Sequence, residues 1–394
     1  MKRPHILVIN SKTLLPNIDG ATIRSTQMIR MLAETCDIDL VYTCSTKLRP
    51  ADNSPLYTYC KHVKEFTTSP LAMIIRGLLG FFSRKPLQCA YLYSPKMQRY
   101  INAHINDYDF VFCNNVRAAQ YVLGKPCIKI IDYVDALFMR FKKELENVNI
   151  IKKIVFNIEY RRLEKFETRI YNEFQGQFVI SDVDRLHILH NAQRNDKDIY
   201  VINNSTELRP AITQNDNKNL VFVGSMYYDP NIAAVTTFAH KAFPQILDVH
   251  PDTMFYIVGT RPSQAVKNLA SQNIVVTGFV DDPQKYLREA TIVVVPMISG
   301  AGVQNKILEA MSMGCCVVTT EIGAEGLDNI VNQQDIVICD EYQKLAAEVI
   351  SLMNDKNCRI QIGKNARQYI ADNLTYDIIA KQFTNYLHEN ILTQ

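Results

Sequence analysis

The residues best able to do chemistry in this chain lie between positions 293 and 326. An apolar run ends at Pro296, the loop Ser299-Gly300-Ala301-Gly302 follows, and Val303-Gln304-Asn305-Lys306-Ile307-Leu308-Glu309-Ala310-Met311 then carries helical spacing. Small residues at 300–302 let a backbone approach a ligand closely. A helix that starts there aims its free N–H groups and dipole at an anion such as a diphosphate. Lys306, about one turn into that helix, reaches back to the same anion. The Glu309 carboxylate can accept hydrogen bonds from a pair of ribose hydroxyls. Spacing alone leaves two plainer readings open. A glycine-rich loop before a helix is often only a tight turn, and Lys306 with Glu309 also fits an ordinary i,i+3 surface pair.

Other clusters offer less. His187 and His190 share a helix face with no third ligand nearby, and a solvated face explains them. Asp281-Asp282 looks like a metal-binding carboxylate pair but falls in a loop with no companion ligands. The ten cysteines include no Cys-x-x-Cys pair and several sit in apolar runs, so they read as buried free thiols in a reducing compartment. Cys315-Cys316 precedes a buried strand and reads as core. No metal is expected.

The elements that must position these residues alternate strand and helix. Apolar runs at 6–9 and 38–42 flank a helix-period segment, which makes a βαβ unit and hence a parallel sheet. Further strands are expected at 110–112, 128–131, 178–180 and 199–202, with helices at 118–123 and 151–171. Residues 203–218 are polar, without sustained period, and read as a linker. Strands then recur at 220–223, 253–258, 274–276, 292–295, 316–319 and 336–338, with helices at 232–247, 303–313 and through 341–388. Length agrees: 394 residues are too many for one core. A content of 47% hydrophobic and 21% charged residues is that of a globular protein, and a net charge of +3 calls for no nucleic-acid partner. The N-terminal apolar run is too short for a signal peptide, and the longest, at 71–82, is broken by Arg76 and too short to span a bilayer. A cytoplasmic protein follows, or one peripheral at the inner face of the membrane. The segment 71–85 (LAMIIRGLLGFFSRK) fits either a core helix or a membrane-interface helix.

The second half resembles the retaining GT-B glycosyltransferases of family 4, the group 1 glycosyl transferases. The blocks are Phe222-Val223-Gly224-Ser225, Tyr256-Ile257-Val258-Gly259, Val276-Thr277-Gly278-Phe279-Val280-Asp281, Val294-Val295-Pro296, the run from Lys306 to Gly314, and Val317-Val318-Thr319-Thr320, in family order over residues 220–330. The resemblance implies two Rossmann-like α/β domains facing each other across a cleft. It places residues 1–205 on the acceptor side and 206–374 on the nucleotide-sugar side, with a helix at 375–394 crossing back. By the same resemblance Glu309 binds the donor ribose, and Gly300, Ala301, Gly302 and Val303 hold phosphates or sugar. Phe279 and Val280 flank the base, while Gly224 and Ser225 face the diphosphate. In the first half, Gly20 sits in the family's first glycine-containing loop, beside Pro16, Asp19 and Arg24. Asp135 ends a strand where a His or Asp approaches the transferred sugar; capping the next helix is its plainer role.

Two positions depart from the family. Ala301 stands where a Glu usually contacts the donor sugar, and residues 225–231 lack the usual Arg and Lys that neutralise the diphosphate. Lys306 and Arg261 are the candidates for that missing charge. The implied activity is metal-independent, retaining sugar transfer from a nucleotide diphosphate sugar, without a cofactor, to a glycan or lipid-linked acceptor in surface polysaccharide or glycoconjugate synthesis. Catalysis would rest on Asp135, Lys306 and Arg261. A nucleotide-sugar epimerase of the same architecture and an inactive donor-binding partner subunit are the alternatives.

Overall fold

The computed structural model describes residues 3–14, 20–45, 56–145, 149–193, 198–300 and 302–392. Pro16, Asp19 and Ala301 therefore lie outside the described residues. The chain divides into two compact units, one of residues 1–202 with 380–394 and one of residues 203–379.

The first unit is built on strands β1 His5–Asn10, β2 Asp37–Cys44, β3 His62–Thr67, β4 Phe110–Asn114, β5 Lys129–Asp132, β6 Gly176–Val179 and β7 Tyr200–Val201. The second is built on β8 Asn219–Val223, β9 Met254–Val258, β10 Ile274–Gly278, β11 Ile292–Val295, β12 Val317–Thr319 and β13 Val337–Ile338. The sheet orders are β3-β2-β1-β4-β5-β6-β7 and β10-β9-β8-β11-β12-β13. Every recorded pairing is parallel. Both orders are those of the doubly wound nucleotide-binding fold, with a reversal between β1 and β4 and again between β8 and β11. The central strands are buried on both faces, which is why Ile6 to Ile9 and Ile292 to Val295 read as unbroken apolar runs.

Most expected elements are present, and the departures have physical causes. The edge strand β3 carries Lys64 and Glu65, and its mixed polarity hid it. The helix expected over 232–247 is two helices, Asp229–Lys241 and Phe243–Val249, because Pro244 at the start of the second lacks the N–H that would continue the first. The helix expected over 303–313 begins two residues later, at Asn305–Ser312, so Lys306 occupies its first turn. Residues 71–85 do not form a core helix: helix Pro70–Gly80 leaves most of its apolar side chains exposed.

One ion pair anchors the first unit. Arg24, on helix Gly20–Thr35, grips both oxygens of Asp132 at 2.8 and 2.9 Å and donates to the Ile202 carbonyl at 2.7 Å. Both residues are only 1% exposed, so this pair ties the first helix to the end of β5 and to the end of the unit's first segment. Removing one partner strands a buried charge. Arg24→Ala should therefore lower unfolding stability by about 3–5 kcal/mol in urea titration; a loss below about 1 kcal/mol would show that the pair does not hold the unit together.

Candidate functional site

In the second unit the loops after β8, β9, β10 and β11 converge at the carboxyl ends of the strands. Gly224 donates to the Val258 carbonyl at 2.9 Å, Met226 to that of Thr260 at 2.9 Å, and Gly259 to that of Gly278 at 3.3 Å. This approach demands glycine: a Cβ at Gly259 would lie 1.7 Å from the Gly224 carbonyl oxygen. Ser225 follows, with its carbonyl held by the Asn231 amide at 3.0 Å. Arg261 adopts a left-handed φ of 54° and sets its guanidinium 5.6 Å from the Tyr227 ring, exposed to solvent. Gly278 turns the next loop with φ 71°, presenting Phe279, which is 71% exposed, and the half-buried Val280.

The loop after β11 is pinned by hydroxyls. Thr319 and Thr320 donate to the carbonyls of Val295 and Met297 at 2.7 and 2.6 Å. Gly300 and Gly302 take φ of 126° and 71°, conformations that side chains resist, and Val303 is buried. Gln304 is the N-cap of helix Asn305–Ser312 but offers it no side-chain cap; Ile307 donates to the Gln304 carbonyl at 2.8 Å, which leaves the N–H groups of Asn305 and Lys306 as the ones a ligand could use. The far end is fixed by a Schellman motif: Gly314, at φ 78°, donates to Met311 at 2.9 Å and Cys315 to Ala310 at 3.1 Å.

Lys306 and Glu309 are not an ion pair. The Lys306 ammonium bonds the Gln304 side-chain oxygen at 2.7 Å, approaches Met297 Sδ at 4.0 Å and lies 5.5 Å from the Phe222 ring. No carboxylate lies within ion-pair distance of it among the described residues, and burial lowers its pKa to about 8. A cation so placed is stabilised by whatever anion enters the loop. Glu309 turns the other way and accepts from Gln284 Nε2 at 3.1 Å through one oxygen. Its other oxygen makes no hydrogen bond among the described residues. Asp282 is committed elsewhere: it caps helix Pro283–Glu289 and pairs with Arg288 at 2.5 Å.

The first unit holds a second polar centre. Gly20 opens its first helix and is exposed. Arg24, one turn further along that helix, binds Asp132 and the Ile202 carbonyl. Past β5, Val134 sits at φ 73°, a conformation that costs a β-branched residue about 1–3 kcal/mol, and it re-aims the chain at Asp135. Asp135 does not cap the next helix. Ala136 is the N-cap of Leu137–Glu144, and the nearby amides of Ala136 and Phe138 donate to Asp184 at 2.9 Å and Glu167 at 3.1 Å. Burial, then the Asp184 charge, raise the Asp135 pKa to about 6, against the pull of Arg140 and Arg117. At the reversal between β1 and β4, Ser11 donates to Asn115 Oδ1 at 3.0 Å and Asn115 to Asn10 Oδ1 at 3.3 Å.

Sequence reading missed Gln304, Gln284, Asn231 and the cluster of Asn10, Ser11 and Asn115. Gln284 stands 25 residues before Glu309, and no local pattern marks it as that carboxylate's partner. A pH test follows from Lys306. An anion at the loop raises the lysine's pKa, so binding takes up a proton wherever the free lysine is neutral, and affinity falls as pH rises through about 8. Calorimetry with a nucleoside diphosphate should show about a tenfold weaker affinity at pH 9 than at pH 7, with Lys306→Met nearly flat over that range. Equal affinities for the native protein at the two pH values would remove Lys306 from the anion site.

Comparison with known proteins bears on the fold and on the second unit's family likeness. Residues 217–355 match the family described as glycosyl transferases group 1. An uncharacterized 44.6 kDa protein in the cps region of Klebsiella pneumoniae is 24% identical over 98% of this chain and 99% of its own. The capsular polysaccharide biosynthesis glycosyltransferase CapM of Staphylococcus aureus is 23% identical over 45% of this chain and 47% of its own. Among solved structures, Anabaena HepE in complex with UDP and glucose shares the fold at a TM-score of 0.66, with 17% identity over 98% of this chain and 100% of that one. On these grounds the fold is GT-B, and residues 217–355 are similar to the group 1 glycosyl transferases.

Proposed function

We propose that the protein transfers a sugar, with retention, from a nucleoside diphosphate sugar to a hydroxyl of a glycan or lipid-linked acceptor in surface polysaccharide synthesis. The observation that carries this reading is the Lys306 ammonium, held beside the loop before helix Asn305–Ser312 with Gln304, and no carboxylate among the described residues, as its partner. That loop leads into an uncapped helix start. A diphosphate satisfies both the cation and the open N–H groups. Glu309 keeps one oxygen for the ribose, and the Phe279 ring and Val280 suit a base. Gly224 and Ser225 bring backbone to the diphosphate, and Arg261 adds a second cation. The polysaccharide product is suggested by what CapM is named for, and UDP by the nucleotide named with HepE.

In this reading the bond from sugar C1 to the phosphate oxygen breaks and its electron pair leaves with the diphosphate. The acceptor oxygen bonds C1 on the same face, and its proton passes to the departing phosphate. Lys306, Arg261 and the helix start stabilise the leaving charge, and neither metal nor cofactor is required. Asp135 serves the sugar and acceptor side. Ala301, in place of the family's usual Glu, favours one rival, a donor-binding partner without turnover.

Turnover separates these readings. With UDP-sugar donors, a glycan acceptor and excess chelator, the native protein should transfer sugar. Lys306→Ala should lose about 10²–10³ in rate, and Asp135→Ala should lose transfer while keeping its affinity for UDP. Transfer that stops with chelator and returns with manganese would rule out the metal-free mechanism. Absence of transfer with every donor, despite tight nucleotide binding, would favour the partner subunit.

A further inference from the structure

Helix Pro70–Gly80 is packed inside out. The side it turns to the protein is made of Met73, Gly77 and Gly80. A Cβ on Gly77 would meet the Tyr91 side chain at 3.3 Å, and one on Gly80 would meet the Ala90 Cβ at 2.9 Å. The glycines thus let this helix lie against helix Leu87–Leu92. The bulky apolar residues face outward instead: Leu71, Ile74, Ile75, Leu78 and Leu79 are 48–68% exposed, and Phe82, just past the helix, is 91% exposed. Amphipathic surface helices bury that face. Exposed bulky apolar side chains clustered on one helix mark an interaction surface.

The orientation is fixed. Ser69 caps the helix start, accepting from the Ala72 amide at 3.2 Å. Arg162, on helix Ile150–Glu173, donates to the carbonyls of Gly80, Phe81 and Lys85 at 2.7, 2.8 and 3.1 Å. Arg76 turns inward to the Tyr93 carbonyl. The apolar face is therefore held outward by hydrogen bonds on its inner side.

The charge of the neighbouring sequence points to what covers it. From residue 66 to residue 106 the sequence holds no Asp or Glu, but it holds Arg76, Arg84, Lys85, Lys96 and Arg99. Arg84, Lys85, Lys96 and Arg99 are exposed. A second copy of this face would bring like charges together. An apolar helix face beside basic side chains instead complements a bilayer surface, with acyl chains meeting the apolar residues and anionic headgroups the cations. No helix among the described residues is long and apolar enough to cross a membrane, so contact would be in the interface plane. We infer that the outward face of helix Pro70–Gly80, with Phe82, Arg84 and Lys85, docks the protein on a membrane leaflet rich in anionic lipid.

Co-sedimentation with vesicles of phosphatidylglycerol and phosphatidylethanolamine tests this without reference to sugar transfer. The native protein should partition into these vesicles and bind pure phosphatidylcholine vesicles far more weakly. Leu78→Glu with Leu79→Glu should lower partitioning about tenfold or more. Arg84→Glu with Lys85→Glu should do the same, and added salt should weaken native binding. Both variants change exposed side chains, and unchanged melting temperatures would show them folded. Failure of the native protein to bind anionic vesicles would overturn the inference, as would partitioning indifferent to these substitutions. So would a dimer in light scattering that Leu79→Glu dissociates, because a second copy would then be the occupant.

Discussion

A parallel sheet cannot be closed by hairpins; every strand must be followed by a crossover that returns the chain to the same end. Both sheets obey this, so the loops that leave the strands collect at one edge of each. The chain reverses direction along the sheet between β8 and β11, and crossovers on either side of that point leave a gap there. Gly224 and Ser225 leave β8 at that gap, and the loop from Pro296 to Gln304 leaves β11 there. The candidate donor site thus follows from the direction and order of the strands before any side chain is considered.

Side chains then decide what the gap holds. Burying an ammonium without a counter-charge costs free energy, which is why the Lys306 pKa falls to about 8. An anion would supply the missing counter-charge, and the lysine lies in the first turn of a helix whose start has no side-chain cap. Asp135 is the converse in the first unit, a carboxyl raised to about 6 by burial and the neighbouring Asp184. Each group has been shifted toward the pH range in which proton and charge transfer operate.

Much of this was legible in the sequence because strands buried on both faces must be apolar throughout, as Ile6 to Ile9 and Ile292 to Val295 are. The edge strand β3 was not, because Lys64 and Glu65 face solvent there. The Gly300–Gly302 loop and Lys306 were legible as residue types, but the absence of a Lys306–Glu309 pair was not. It depends on Gln304, Met297 and Phe222 drawing the lysine one way and Gln284 drawing the glutamate the other. In the sequence Asp135 fits both a sugar contact and a helix cap; the cap is excluded by Asp184 and Glu167, 49 and 32 residues further along the chain, which take the nearby amides. The exposed helix at 70–80 escaped a decision for a similar reason. Its composition fits a core, and only its glycine-lined inner side shows that the apolar face looks outward.

The central claim is that a nucleoside diphosphate is held by the second unit through the loop after β11 and the first turn of helix Asn305–Ser312. Amide hydrogen exchange with and without UDP reads those N–H groups directly. The account predicts slowed exchange over residues 299–308, with smaller protection at 224–226 and 278–280 and no primary effect on the helix at 70–80. Protection centred elsewhere, with residues 299–308 exchanging as fast as in the free protein, would contradict it.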